Sequence, residues 1–237
     1  VFDFASPNGY FCHKVIPDIE ARTGAKFIYK PCLLGGIHKL SNNQAPMVAF
    51  ADIPLKMAYD SIEIDRFIKK HAIDEFKMNP NFPIITLQLM RAAVAADIDG
   101  YLMEFIEAML PCMWEKELKM DDPEVLKAAF SDAGFDADKI FSQMASDEVK
   151  AKLISNTQEA VDRGAFGIPT FFIDDEIFFG KEKAELVDHT NLVDAEPREV
   201  YIIGCLLVPI IGIGLYPRLM TDSYRSSIEA LVTRNLG

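Results

Sequence analysis

Two short segments, far apart in the chain, constrain the fold more than anything else. The first is Val1-Phe2-Asp3-Phe4-Ala5-Ser6-Pro7-Asn8-Gly9-Tyr10. Apart from Asp3 its opening residues are apolar, aromatic or β-branched, which predicts a buried strand over 1–4. Ser6 suits a helix N-cap, and Pro7 in the first helical position loses no needed N–H. Beyond it Phe11, Val15, Ile16 and Ile19 recur at helical intervals, and Gly24 supplies a C-terminal stop. A second strand is expected at 26–31, so the chain opens as a β-α-β unit of an α/β protein. The second segment is Phe166-Gly167-Ile168-Pro169-Thr170-Phe171-Phe172-Ile173-Asp174, a Gly-X-Pro turn entering a strand. The helix N-terminus beside Ser6 offers free N–H groups and partial positive charge. A thiolate would be stabilised there, as cysteine thiolates are.

The stretch between the two segments reads as helical. Apolar periodicity predicts helices over 53–71, 85–98 and 102–120. Asp121-Asp122-Pro123 starts another, and 136–144 and 146–163 follow, the last ending at Gly164. Phe11, Met47, Phe50, Phe82, Met109 and Trp114 are candidates to line an apolar cleft beside this helical part.

Charge and cysteine usage narrow the function classes. A net charge of −12 over 237 residues argues against a nucleic-acid partner, which calls for a basic surface. Lys14, Lys39 and Lys56 could still draw a small anionic ligand. Cys12, Cys32, Cys112 and Cys205 form no C-x-x-C pair, and with His13, His38, His71 and His189 they give no metal-ligand spacing, so no metal is expected. The thiols read as small buried apolar groups in a reducing, cytoplasmic setting, and no signal peptide stands at residue 1. His13 and His189 lack the partners a catalytic base needs.

Residues 1 to about 190 resemble the 2-hydroxychromene-2-carboxylate isomerase family, kin of the kappa-class glutathione transferases and the DsbA-type oxidoreductases. The likeness is carried by Phe2-Asp3-Phe4-Ala5-Ser6-Pro7 and Tyr29-Lys30-Pro31-Cys32-Leu33-Leu34-Gly35-Gly36-Ile37. It continues in Asn43-Gln44-Ala45-Pro46, Lys56-Met57-Ala58-Tyr59-Asp60, Asn79-Pro80-Asn81-Phe82-Pro83-Ile84, and 164–172 with Phe179-Gly180. The resemblance implies a thioredoxin-like fold of the DsbA/kappa type with a large all-helical insertion. The thioredoxin-like part would comprise 1–50 and 160–193, and the insertion 51–159. It implies glutathione as cofactor and Ser6 as the catalytic residue, with its hydroxyl turned to the glutathione sulfur. Asn43 and Lys56 would contact the tripeptide, and Ile168 would pair with its cysteinyl part ahead of a cis-Pro169. Glu182 would lie near the γ-glutamyl end. The family more often has Asp followed by Arg where this chain has Glu182-Lys183, and often Asn where it has Ile85. Ser6-Pro7-Asn8-Gly9 stands where a dithiol enzyme carries two cysteines, so thiol–disulfide exchange lacks both sulfurs.

The implied activity is glutathione-dependent cis-trans isomerisation of a small aromatic substrate. A kappa-like glutathione transferase is the first alternative. A non-catalytic thiol-peptide binding module or a membrane-anchored fragment is the second. A homodimer is compatible with each reading.

The last stretch, 194–237, reads as a foreign hydrophobic tail. Residues 200–216 form an uncharged run of 17 between Arg198 and Arg218, just short of the ~20 residues that span a bilayer. Membrane contact, if any, is expected through this tail alone. Residues 196–237 resemble the C-terminal end of an antiporter-like membrane subunit of NAD(P)H–plastoquinone oxidoreductase. Pro197-Arg198-Glu199-Val200 and Gly212-Ile213-Gly214-Leu215-Tyr216-Pro217-Arg218 carry that likeness.

Overall fold

The computed structural model describes residues 1–184, which belong to one compact unit running Val1–Asp188. The expectations placed on 194–237, on His189 and on Cys205 lie outside the described residues. Ser6 starts α1 (Pro7–Thr23) with its side chain on the Gly9 N–H, and Gly24, at φ +75°, closes it by donating to Glu20 O. Short helices α2 (Leu34–Leu40) and α3 (Pro46–Ala49) follow, then α4 (Pro54–His71). Five helices continue the all-helical stretch: α5 (Leu87–Asp99), α6 (Leu102–Trp114), α7 (Pro123–Asp132), α8 (Ala137–Met144) and α9 (Asp147–Asp162). Asp122, Asp136 and Ser146 cap α7, α8 and α9 through their side chains. A hairpin of β1 (Thr170–Ile173) and β2 (Glu176–Phe179) closes the described chain, pairing Thr170 with Phe179 and Ile173 with Glu176. Among the described residues no helix is long and apolar enough to cross a membrane.

The opening β-α-β unit is sparer than expected. The segments 1–4 and 26–31 meet in one parallel bridge, Phe2 to Pro31, flanked by Phe2 N–H to Lys30 O and Cys32 N–H to Phe2 O, each 3.0 Å. Pro31 has no N–H to extend a ladder, and its carbonyl is taken by the Asn156 side chain (3.0 Å). On the other side Val1 N reaches Thr170 O at 2.8 Å, so 1–4 lies between 30–32 and β1.

Helix α6 stops at Trp114, short of the expected end at 120. Glu115 and Lys116 both donate to Pro111 O, and Glu117 adopts φ +58°, which ends the helical path. Asn79 fastens the turn by donating to Met113 O (2.8 Å) and Leu118 O (2.9 Å).

One core joins the N-terminal segment to the helices. Phe4 meets Phe105 edge-on, and the Trp114 indole N–H donates to Phe4 O at 3.0 Å. Phe11, Met109 and Trp114 are fully buried in this core. They are packing residues and line no cleft, because α6 folds its apolar face directly onto α1. Against α9, Gly36 of α2 leaves room that a Cβ would fill to 3.0 Å from Thr157 Cγ2.

Candidate active site

Ser6 is where the two opening motifs meet. As N-cap it sits at φ −96°, ψ 114°, outside the helix, which turns its side chain back over the first turn of α1. Its Oγ accepts from Gly9 N–H at 3.1 Å and donates to Ile168 O at 2.9 Å. The Ile168–Pro169 peptide is cis. Ser6 is 4% exposed, so the pair forms a closed polar contact at the end of α1.

Three further residues hold this corner. Asp3 is fully buried, and among the described residues its carboxylate meets no cation but three neutral donors. Its Oδ1 accepts from Ala5 N–H (2.9 Å) and Thr86 Oγ1 (2.7 Å), and its Oδ2 from Leu34 N–H (2.7 Å). Burial pushes its carboxyl above the usual range, and those three donors pull it back. Asp3 thereby ties 1–5 to the starts of α2 and α5, while Ser6 N–H donates to its backbone carbonyl at 3.3 Å. Asn43 Nδ2 donates to Phe166 O at 2.8 Å, pinning the segment ahead of Ile168. Gly167 is required by close approach: a Cβ there would stand 2.8 Å from the Phe179 ring, which itself packs on Phe166.

The expected site residues are brought together only in part. Ser6, Ile168 and Pro169 are contiguous, and Asn43 joins them through the backbone of Phe166. Lys56 and Glu182 hydrogen-bond to none of these. Lys56 Nζ lies 4.4 Å from the Phe50 ring centroid, and Glu182 pairs with the buried Lys181 at 2.6 Å, facing Glu63, Arg66 and Lys70 of α4 across a cleft.

Asn8 is a residue that sequence reasoning passed over. It stands two positions after Ser6 in the first turn of α1, and its Oδ1 is buried with no hydrogen-bond partner. Its polarity between Pro7 and Gly9 was visible, but its burial was not.

The thiols and His13 serve the fold. Burial raises the Cys12 thiol and pushes Cys32 up to about 12, so neither is a thiolate near neutral pH. Burial also pulls His13 below its usual value against the opposing effect of Glu107. Its ring bridges Tyr29 Oη (2.9 Å) and Glu107 (3.2 Å), fastening α1 to α6 and to 26–31.

A helix N-cap hydroxyl set against a cis-proline loop is the corner of a thioredoxin-type site. The family model of the DsbA-like thioredoxin domain matches residues 1–190. The chain belongs to the DsbA-like thioredoxin family. A solved structure of 2-hydroxychromene-2-carboxylate isomerase superposes with a TM-score of 0.68, covering 80% of this chain and 91% of that one at 19% identity. At that identity the likeness is one of fold. Within the family this chain carries Ser6 at the head of α1.

The C-terminal part has a different relation. A segment of 62 residues is 94% identical to NAD(P)H-quinone oxidoreductase chain 4 of Synechococcus sp. (strain CC9605). It is 90% identical over 62 residues to the same subunit of Parasynechococcus marenigrum (strain WH8102). The chain spans 12% and 11% of the length of these curated relatives. A C-terminal segment of that length, counted back from Gly237, begins at Glu176, well ahead of the stretch 196–237 marked by sequence motifs. It takes in β2, Phe179-Gly180 and Glu182, so those residues are common to both matches.

Proposed function

We propose that this protein is a glutathione-dependent cis-trans isomerase of the 2-hydroxychromene-2-carboxylate type. The observation that carries the reading is the Ser6 hydroxyl, held at the N-terminus of α1 and 2.9 Å from the carbonyl ahead of cis-Pro169. A hydroxyl here cannot exchange disulfides, but it can donate to a thiolate whose charge the helix N-terminus favours. The unpartnered Asn8 Oδ1 in the same turn fits a ligand that brings its own donor. Bound glutathione would supply the nucleophilic sulfur, adding reversibly to a conjugated alkene so that the former double bond turns as a single bond.

The chain's own residues bind and orient. Ser6 releases Ile168 O and turns its proton to the sulfur, and Ile168 then offers its backbone carbonyl to the cysteinyl part, like an added strand. Asn43 keeps the loop in register through Phe166, and Lys56 attracts the tripeptide's negative charge. We assign no ligand contact to Glu182, which is ion-paired with Lys181. The buried free thiols Cys12, Cys32 and Cys112 agree with a reducing, cytoplasmic setting.

Isothermal titration with glutathione tests the cofactor. Saturable 1:1 binding that is lost with an oversized group at residue 9, such as Gly9→Trp, is expected, and absence of binding overturns the reading. Assays with 2-hydroxychromene-2-carboxylate and with a conjugating electrophile then separate isomerase from transferase. Turnover of the first without consumption of glutathione is expected, and stoichiometric consumption favours the transferase.

A further inference from the structure

The first turn of α1 holds one residue whose polar groups are all unused. Pro7 has no N–H, Gly9 N–H goes to Ser6 Oγ (3.1 Å) and Tyr10 N–H to Ser6 O (3.2 Å). Among the described residues this leaves the Asn8 N–H without an acceptor, so a sulfur drawn to the helix end comes to lie against Asn8. The Asn8 side chain is unbonded too, and its Oδ1 is buried. A carbonyl buried without a donor forfeits hydration that nothing in the ligand-free chain returns. The residue as a whole is only half-buried, and χ2 of an asparagine turns easily, so the carbonyl can swing to a donor on a ligand.

The side of α1 on which Asn8 lies decides which ligand. A Cβ on Gly9 would stand 3.4 Å from Ser6 Cβ and 3.8 Å from Ile168 Cγ2, so Gly9 marks the side turned to the cis-proline loop. Asn8 precedes it and sits about 100° round the helix, off that side. A tripeptide paired with Ile168 occupies the loop side. Asn8 is left to the other partner of the sulfur, the electrophile.

Ring opening of 2-hydroxychromene-2-carboxylate breaks the ring C–O bond. The ring oxygen takes the proton of the 2-hydroxyl and becomes a phenol, and the 2-hydroxyl oxygen becomes a ketone conjugated to the alkene. Sulfur then adds to the alkene carbon attached to the aromatic ring. The phenol is on the next ring carbon, so sulfur and hydroxyl stand side by side, as Ser6 and Asn8 do. A phenol keeps its proton at neutral pH, as tyrosine does. It is the one neutral O–H donor the opened substrate carries.

We infer that Asn8 is a specificity-determining residue, whose side-chain carbonyl accepts the phenolic O–H of an ortho-hydroxyaryl enone. The inference rests on the isomerase reading above. A site built to bond a hydroxyl disfavours the analogue without it, because its own polar group is then left unpaired.

The test compares kcat/KM of the full chain, with saturating glutathione, for 2-hydroxychromene-2-carboxylate and for cis-benzylidenepyruvate, the enone without the ring hydroxyl. Comparing the ratio of the two between wild type and variants cancels their different intrinsic reactivities. Asn8→Leu removes the acceptor at similar volume and should lower the ratio roughly tenfold to a hundredfold. Asn8→Asp keeps an acceptor in place and should keep most of the ratio. In the ligand-free chain Asn8→Leu should melt at the wild-type temperature or above, since it breaks no hydrogen bond. An unchanged ratio in Asn8→Leu, an equal loss in Asn8→Asp, or a clearly lowered melting temperature overturns the inference and leaves the isomerase reading standing. A wild-type chain that turns over neither compound overturns both.

Discussion

The Ser6 hydroxyl carries one proton, and in the ligand-free molecule that proton is given to Ile168 O while the oxygen accepts from Gly9. Serving a thiolate means exchanging one acceptor for another, so the hydroxyl contributes more once charge has gathered on sulfur than before. Ser6→Ala should therefore lower turnover by about 10²–10³, the usual effect of losing one such donor. Glutathione affinity should fall by much less, because the helix terminus remains. The same change removes the N-cap bond to Gly9 and should cost about 1 kcal/mol of stability. Steady-state kinetics alongside titration reads the split, and unchanged turnover would remove Ser6 from the mechanism. Ser6, Ile168 and Pro169 were legible because each lies in a local motif whose backbone demand is set by neighbours in sequence. Asp3 was not legible as a buried, fully bonded carboxylate, since the groups that satisfy it, Thr86 and Leu34, are distant in the chain, and the burial of Asn8 Oδ1 leaves no local mark in the sequence.

At the scale of elements, α1 is the piece on which the site depends, and His13 fastens it. The imidazole is depressed below its ordinary value of about 6.5 mainly by burial. For a base whose folded value is lowered, the neutral ring is the folded form. Its stabilising contribution is thus present above the ordinary value and lost as pH falls through the window beneath it. His13→Gln keeps a hydrogen-bonding partner for Tyr29 but cannot titrate. It should flatten the fall in melting temperature between about pH 7 and pH 5; an unaltered slope in thermal melts would show that His13 is not the group responsible. Helices α4, α5, α7, α8 and α9 were readable from apolar spacing, aided by caps at Asp122, Asp136 and Ser146. The end of α6 was not, because the turn that stops it is made by Asn79 from another part of the chain. Nor were the short helices α2 and α3, which have too few residues to establish a period. The strands expected at 1–4 and 26–31 shrink to a single bridge because Pro31 cannot donate. Phe11, Met109 and Trp114 pack in the core and do not line a cleft, since periodicity reports that a face is apolar but not what covers it.

For the whole molecule the issue is how far the folded unit extends. The DsbA-like match reaches residue 190, and the segment shared with the quinone oxidoreductase subunit, counted back from the end, starts at 176. The overlap contains β2 and the bond from Gly180 N–H to Pro169 O at 3.1 Å. Truncation after Val193 should therefore leave glutathione binding and the cooperative unfolding transition intact. Truncation before Glu176 should lose both, because it strips β1 of its partner. Titration and urea unfolding of the two shortened chains check this, and equal behaviour of the two would mean that β2 is dispensable.

Strand β2 lends the cis-proline loop a backbone more than a surface. Glu176 and Ile177 face solvent and Phe179 is partly exposed, and the pairing with β1 runs through main-chain groups that are the same in every residue except proline. A strand can thus be exchanged between unrelated proteins without the sheet registering its origin, provided the few side chains with fixed neighbours are kept. Here that residue is Phe179, whose ring fills the space left by Gly167 and packs on Phe166. Rewriting 176–178 with other strand-forming residues should leave the loop amides protected in hydrogen exchange. Changing Phe179→Ser alone should release them, so that one aromatic ring in this strand keeps the loop facing Ser6 in its place.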